Sequence, residues 1–145
     1  MPRGTLEVLL VGAKGLDGTD FLSSVDPYVI LTCRTQEQKS SIVSGEEPQW
    51  NETFIFTISE GTTELNLKIM DKDTFTADDF LGEVNIPLEP VFMEGNFPST
   101  AYNVVKDQEY RGEIRVGLSF TPEDYSNERS YGQEEDSYGG WKESS

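Results

Sequence analysis

The sequence contains no histidine, and it has a single cysteine, Cys33, among 145 residues. Without histidine there is no Ser-His-Asp or Cys-His nucleophile system and no His-ligated zinc or iron centre. With one cysteine no intrachain disulfide forms, which is compatible with a reducing compartment. Cationic side chains are scarce: 11 Lys and Arg stand against 27 Asp and Glu, a formal charge of −16. Such a chain repels nucleic-acid phosphates and anionic lipid on average, so those partners have to be met through a local patch or a bound cation. Long apolar runs are missing too. Met1-Pro2-Arg3-Gly4-Thr5 leads straight into a short alternating segment, so neither a leader peptide nor a membrane span is expected.

What is present is a series of short stretches with a period of two. Leu6, Val8 and Leu10 share one face of Thr5–Val11. Phe54, Phe56 and Ile58 share one face of Glu52–Ser59, and Leu65, Leu67 and Ile69 one face of Glu64–Met70. Glu113–Thr121 places Ile114, Val116, Leu118 and Phe120 together. Tyr28–Thr32, Leu81–Ile86 and Tyr102–Val105 are further β-rich runs, and a shorter strand is expected near Lys39–Val43. One apolar face at period two marks half-buried strands. Eight such strands, separated by Gly- and Pro-containing turns and with no long helical period, predict an antiparallel β-sandwich. The connection Leu88–Ser99 has room for one helical turn.

The apolar pattern stops at Asp124. Residues 124–145 carry six acids against Arg129 and Lys142, a balance of −4 that leaves −12 on residues 1–123. This composition does not bury enough surface to order itself. The expected organisation is therefore one domain over 1–123 and a flexible acidic tail over 124–145. Trp50 and Cys33 are expected to be structural, and Arg34, Lys39, Arg111 and Arg115 to form at most a sparse basic strip.

Two stretches between strands gather acids: Asp17, Asp20 and Asp26 in the first, Asp71, Asp73, Asp78 and Asp79 in the second. Carboxylates about 4–5 Å apart repel by several kcal/mol at intermediate dielectric. A fold keeps them together when something compensates, and a hard cation taking six to eight oxygens, Ca²⁺, is the natural partner. An EF-hand is excluded. Counting from Asp71, the sixth position is Thr76 where that loop needs Gly, and the twelfth is Gly82 where it needs Glu. Phe21, Leu22 and Phe75 lie among these acids. Apolar residues so placed suit loop tips that contact a membrane, each adding about 1–2 kcal/mol of burial.

Three motifs in order resemble the C2 domain family over roughly Gly4 to Pro122. They are Asp20 with Asp26-Pro27-Tyr28-Val29, then Pro48-Gln49-Trp50-Asn51-Glu52-Thr53-Phe54, then Asp71-Lys72-Asp73 with Asp79 and Leu81-Gly82. The chain opens on the strand leading to the first acidic loop, which resembles the permuted, second C2 topology. Gly139-Gly140-Trp141, Gln38-Lys39-Ser40-Ser41 and Gly112-Glu113-Ile114-Arg115-Val116 further resemble the small plant single-C2 group of elicitor-responsive and 16 kDa phloem-type proteins. The resemblance implies that Asp20, Asp26, Asp71, Asp73 and Asp79 hold two or more Ca²⁺ ions, together with the backbone carbonyls of Phe21 and Lys72. Asp17 and Asp78 tune the field beside them.

The expected function is a Ca²⁺-dependent phospholipid-binding module, cytoplasmic and recruited to the plasma membrane, monomeric and without catalysis, in plant Ca²⁺ or defence signalling. Two ions shift the loop charge by +4 and relieve its repulsion from anionic phospholipid. The alternative is a Ca²⁺-independent adaptor for a protein or RNA partner. The −16 charge and the lack of a basic aromatic platform disfavour RNA. Removing 124–145 should leave the unfolding midpoint and the Ca²⁺ midpoint nearly unchanged, with lipid binding equal or slightly higher. Equilibrium denaturation and vesicle binding of the truncated chain check this; a loss of several kcal/mol would give the tail a structural role.

Overall fold

The computed structural model describes residues 3–16, 26–44 and 47–123. Their elements are β1 (Gly4–Lys14), β2 (Pro27–Cys33), β3 (Gln36–Lys39), β4 (Gln49–Ile58), β5 (Glu64–Asp71), β6 (Asp79–Pro87), α1 (Glu89–Glu94), β7 (Asn96–Lys106) and β8 (Glu109–Pro122). The expected tail over 124–145 lies outside the described residues. All strand pairings are antiparallel, in the order β3-β2-β5-β6-β7-β8-β1-β4. Because β6 and β7 meet at a single pair, Glu83 with Val105, the order divides into two four-stranded layers that pack as a sandwich. The first and last strands pair from Gly4 with Pro122 to Lys14 with Glu113, as the second C2 topology implies.

The alternating faces meet in the middle. Leu6, Val8, Leu10, Phe56, Leu65, Leu67, Ile69, Ile114 and Val116 belong to one buried cluster drawn from both layers. Burying a side chain of this size contributes about 1.5–3 kcal/mol, so the core fixes which face of each strand points inward. Cys33 is fully buried, and burial raises its thiol to about 11. Trp50 is buried with its indole N–H donating to the Ser41 carbonyl at 2.9 Å. Both are structural residues.

Two elements depart from the alternation. The third strand runs Gln36–Lys39 rather than Lys39–Val43, and residues 40–44 form a loop. Cys33 pairs with Gln36, leaving a two-residue turn in which Arg34 has φ 58. No residue of β3 is buried, so it has no apolar signal to read. Its side chains have another use. The Gln36 amide donates to the Thr57 carbonyl at 2.6 Å and accepts from the Thr57 N–H at 3.0 Å, and the Gln38 amide donates to the Ile55 carbonyl at 2.8 Å. Side-chain amides thus stand in for a ladder along the open edge of β4. The second departure is β7, which starts at Asn96, inside the expected connection; α1 occupies that connection instead, with Pro90 in its first turn.

The register places the acidic segments together. β1 ends, β2 begins, β5 ends and β6 begins at one end of the sandwich, beside the β7–β8 turn at Asp107 and Gln108. The 40–44 segment joins them through Ser40 N–H to the Val29 carbonyl (2.9 Å) and Val43 N–H to the Pro27 carbonyl (3.2 Å). Near this end Leu81 is an extra residue in β6, because Ile69 pairs with Gly82 while Met70 pairs with Phe80. Such a bulge re-aims the strand that carries Asp79. Gly82 has φ 152, and a Cβ there would lie 2.5 Å from Val104 Cγ1, so only glycine fits where the two layers close.

Candidate metal centre

The ladder itself assembles the carboxylates. Asp71, the last residue of β5, pairs with Pro27 of β2 on one side and with Asp79 of β6 on the other. Asp26 precedes β2, and its N–H donates to Asp71 Oδ1 at 2.8 Å while its carbonyl accepts from the Lys72 N–H at 3.0 Å. Ser44 Oγ donates to Asp26 Oδ1 at 3.1 Å, which ties the 40–44 segment to the same group. Asp73 Oδ1 accepts the N–H groups of Phe75 (3.0 Å) and Thr76 (3.4 Å), closing a turn within the β5–β6 loop. Asp20, the Phe21 carbonyl and side chain, and Leu22 fall in residues 17–25, outside the described residues. Among the described residues no three acidic, Cys or His side chains converge closely enough to hold an ion by themselves.

The electrostatics separate acids that look alike in the sequence. Burial pushes the Asp71 carboxyl up, the Asp26 amide pulls it down, and the charges of Asp26, Asp79 and Asp73 raise it further. Asp73 is held down, chiefly by the Phe75 amide and then by the Thr76 hydroxyl and amide. Asp78 is held down by the Tyr28 hydroxyl, then by the Asp73 amide at 3.0 Å and by Lys72, whose ammonium lies 3.8 Å from Asp78 Oδ1. The Lys72 cation therefore serves Asp78 rather than Asp26, Asp71 or Asp79. Asp71 is left with the like charges of Asp26, Asp79 and Asp73 near it, carboxylates of the hard-oxygen type that Ca²⁺ prefers.

The apolar residues divide similarly. Phe75 is 92% exposed at the tip of the β5–β6 loop. Ile42, read from sequence as part of a strand, is 51% exposed in the loop at the same end. Its place in a two-residue apolar step, Ile42-Val43, between Ser41 and Ser44 was the available signal. Of the four bases considered as one strip, Arg34 lies in the turn before β3, Lys39 ends β3, and Arg111 and Arg115 sit on β8.

The C2 domain model matches residues 4–124. The chain belongs to the C2 domain family. It is 66% identical over 146 residues to the 16 kDa phloem protein 2 of Arabidopsis thaliana, covering 99% of this chain and 97% of that one. A solved C2 domain-containing protein from a putative elicitor-responsive gene superposes with a TM-score of 0.76 at 66% identity, covering 85% of this chain and 92% of that chain. The calcium-bound tandem C2 domains of extended synaptotagmin 2 match at a TM-score of 0.70 and 26% identity, covering 83% of this chain and 46% of that chain. The narrower resemblance to elicitor-responsive and phloem-type proteins is thus shown as well. Among the described residues no helix is long and apolar enough to cross a membrane.

The opposite shifts of Asp71 and Asp73 have opposite signs in stability. A carboxyl raised by folding contributes stability only below its ordinary value and loses it as pH rises, so ionised Asp71 strains the fold at neutral pH. A carboxyl lowered by folding contributes above its ordinary value and loses that as pH falls through the depressed value. In chelator at neutral pH, Asp71→Asn should raise the melting temperature and Asp73→Asn should lower it. Both differences should shrink on acidification. Thermal melts of the two variants across the carboxylate pH range check the sign.

Proposed function

We propose that this C2 domain is a Ca²⁺-dependent phospholipid-binding module that moves the chain to anionic membranes, the plasma membrane among them, in plant Ca²⁺ and defence signalling. One observation carries the reading: Asp26, Asp71, Asp73 and Asp79 share one end of the sandwich with Phe75, a phenylalanine 92% exposed. The calcium-bound C2 neighbour and the neighbour from an elicitor-responsive gene support it. Asp20, Asp26, Asp71, Asp73 and Asp79 would hold two or more ions, with the carbonyls of Phe21 and Lys72. A bound Ca²⁺ supplies positive charge against these carboxylates and an open coordination position for a lipid phosphate or carboxylate.

The protein's own residues do the rest. Strand pairing fixes Asp71 and Asp79 on a rigid layer, so little order is lost when a ligand meets them. Phe75, and with it Ile42, offers apolar surface to the interfacial layer of a bilayer, where Phe21 and Leu22 would join them. No bond is made or broken in this function.

In Ca²⁺ the protein should sediment with phosphatidylcholine vesicles containing phosphatidylserine, and in chelator it should stay in the supernatant. The Asp71→Asn, Asp73→Asn double variant should stay soluble in both. Phe75→Ala should bind the vesicles roughly tenfold more weakly, the loss of about 1.4 kcal/mol of apolar burial. Sedimentation that is equal with and without chelator would replace this reading with the adaptor.

A further inference from the structure

The β5–β6 loop has an internal support that the metal centre does not use. The Tyr28 side chain is buried at the start of β2, and its hydroxyl reaches across to Asp78 Oδ2. The other oxygen of Asp78 accepts the Asp73 N–H at 3.0 Å and lies 3.8 Å from the Lys72 ammonium. Asp73 in turn holds the N–H groups of Phe75 and Thr76 on its own Oδ1. A continuous chain of hydrogen bonds therefore runs from a strand-borne, buried ring to the backbone of the exposed Phe75. Both oxygens of Asp78 are engaged inside the loop, which removes it from the candidate donors although it is next to Asp79 in sequence.

We propose that Tyr28 and Asp78 are positioning residues that hold the β5–β6 loop in its Phe75-presenting shape before any ion arrives. The physical ground is the loop's composition. Lys72–Asp78 carries three charges and no buried residue, so it has no apolar packing to hold it and would otherwise sample open conformations. The hydroxyl anchors it to β2, the strand that also sets Asp26. The donors and the apolar tip are then pre-ordered on one support, which lowers the ordering cost of docking. The part of this inference that concerns docking rests on the membrane reading above; the part that concerns the loop does not.

The test uses the full chain and begins without metal. In chelator, chymotrypsin cuts after Phe75 only when the loop opens, and the resulting fragments are identified by mass. Tyr28→Phe keeps the ring and removes the hydroxyl; Asp78→Ala keeps Tyr28 and removes the acceptor. Tyr28→Phe should speed this cleavage roughly three- to tenfold, the factor that losing one hydrogen bond gives a local opening, and Asp78→Ala, which also frees the Asp73 N–H and Lys72, should speed it at least as much. The Tyr28→Phe unfolding midpoint in denaturant should barely move, which separates positioning from a general structural role. If Tyr28→Phe unfolds the domain, Asp78→Ala decides alone. Unchanged cleavage in the deciding variant overturns the proposal, as does faster cleavage that only tracks a lowered global midpoint. Then, in Ca²⁺ with phosphatidylserine-containing vesicles, Tyr28→Phe should bind several-fold more weakly than the unaltered protein. Accelerated cleavage together with no vesicle binding even by the unaltered protein would uphold the loop anchor and sink the membrane reading, so the two failures are distinguishable.

Discussion

The pairing of β5 between β2 and β6 is the constraint on which the acidic cluster depends. Asp71 opposes Pro27 on one side and Asp79 on the other, and Asp26 is bonded to Asp71 through its N–H. Free in a loop, these carboxylates would move apart, because each pair at contact distance costs on the order of a kcal/mol or more at intermediate dielectric. On the ladder they have no such freedom. Moving Asp71 by one position would turn Leu65, Leu67 and Ile69 out of the core. Core burial therefore holds the acids in place, and the Asp71 carboxyl is raised first by its own burial and then by the charges of Asp26, Asp79 and Asp73.

The loop acids divide into two kinds by what they bond to. Asp78 is neutralised within the protein by a phenol, a peptide N–H and an ammonium. Asp73 uses one oxygen on the backbone of its own turn, and Asp71 uses one on the Asp26 N–H. The first kind shapes the loop, and the second leaves oxygen lone pairs directed elsewhere. The same logic appears at the opposite edge of the sandwich. There Gln36 and Gln38 satisfy β4 backbone groups that an edge strand would otherwise present for pairing.

Most of the fold was legible because burial and alternation coincide: the inner faces of β1, β4, β5 and β8 follow from apolar residues at period two. The third strand was misplaced because Gln36–Lys39 is held by side-chain amides and pairing, neither of which leaves a hydrophobic trace. The start of β7 was missed for a related reason, since Asn96 to Ala101 contains no fully buried side chain. At the site, the C2 resemblance singled out Asp20, Asp26, Asp71, Asp73 and Asp79; the register brings the last four to one end, and Asp20 lies outside the described residues. The role of Tyr28 was invisible, because its partner Asp78 lies 50 residues away and only the β2–β5–β6 order makes them neighbours. Ile42 was hidden by the misplacement of β3.

The long axis of the sandwich decides how charge and docking interact. β8 has 14 residues and spans roughly 40 Å at the usual rise per residue. It begins beside the acidic loops and ends at Pro122, paired with Gly4, at the far end. Residue 123, the last described, lies at that far end, where the Glu123 N–H donates to the Arg3 carbonyl at 2.8 Å. The Debye length at physiological salt is about 8 Å, so charge at that end is several screening lengths from a surface met by Phe75. Docking through the loop end thus places the local carboxylates, rather than the net charge of the chain, in control of the approach. On the membrane reading proposed above, a cation bound among these carboxylates would offset the charge nearest the lipid, with Phe75 and Ile42 foremost in an end-on approach.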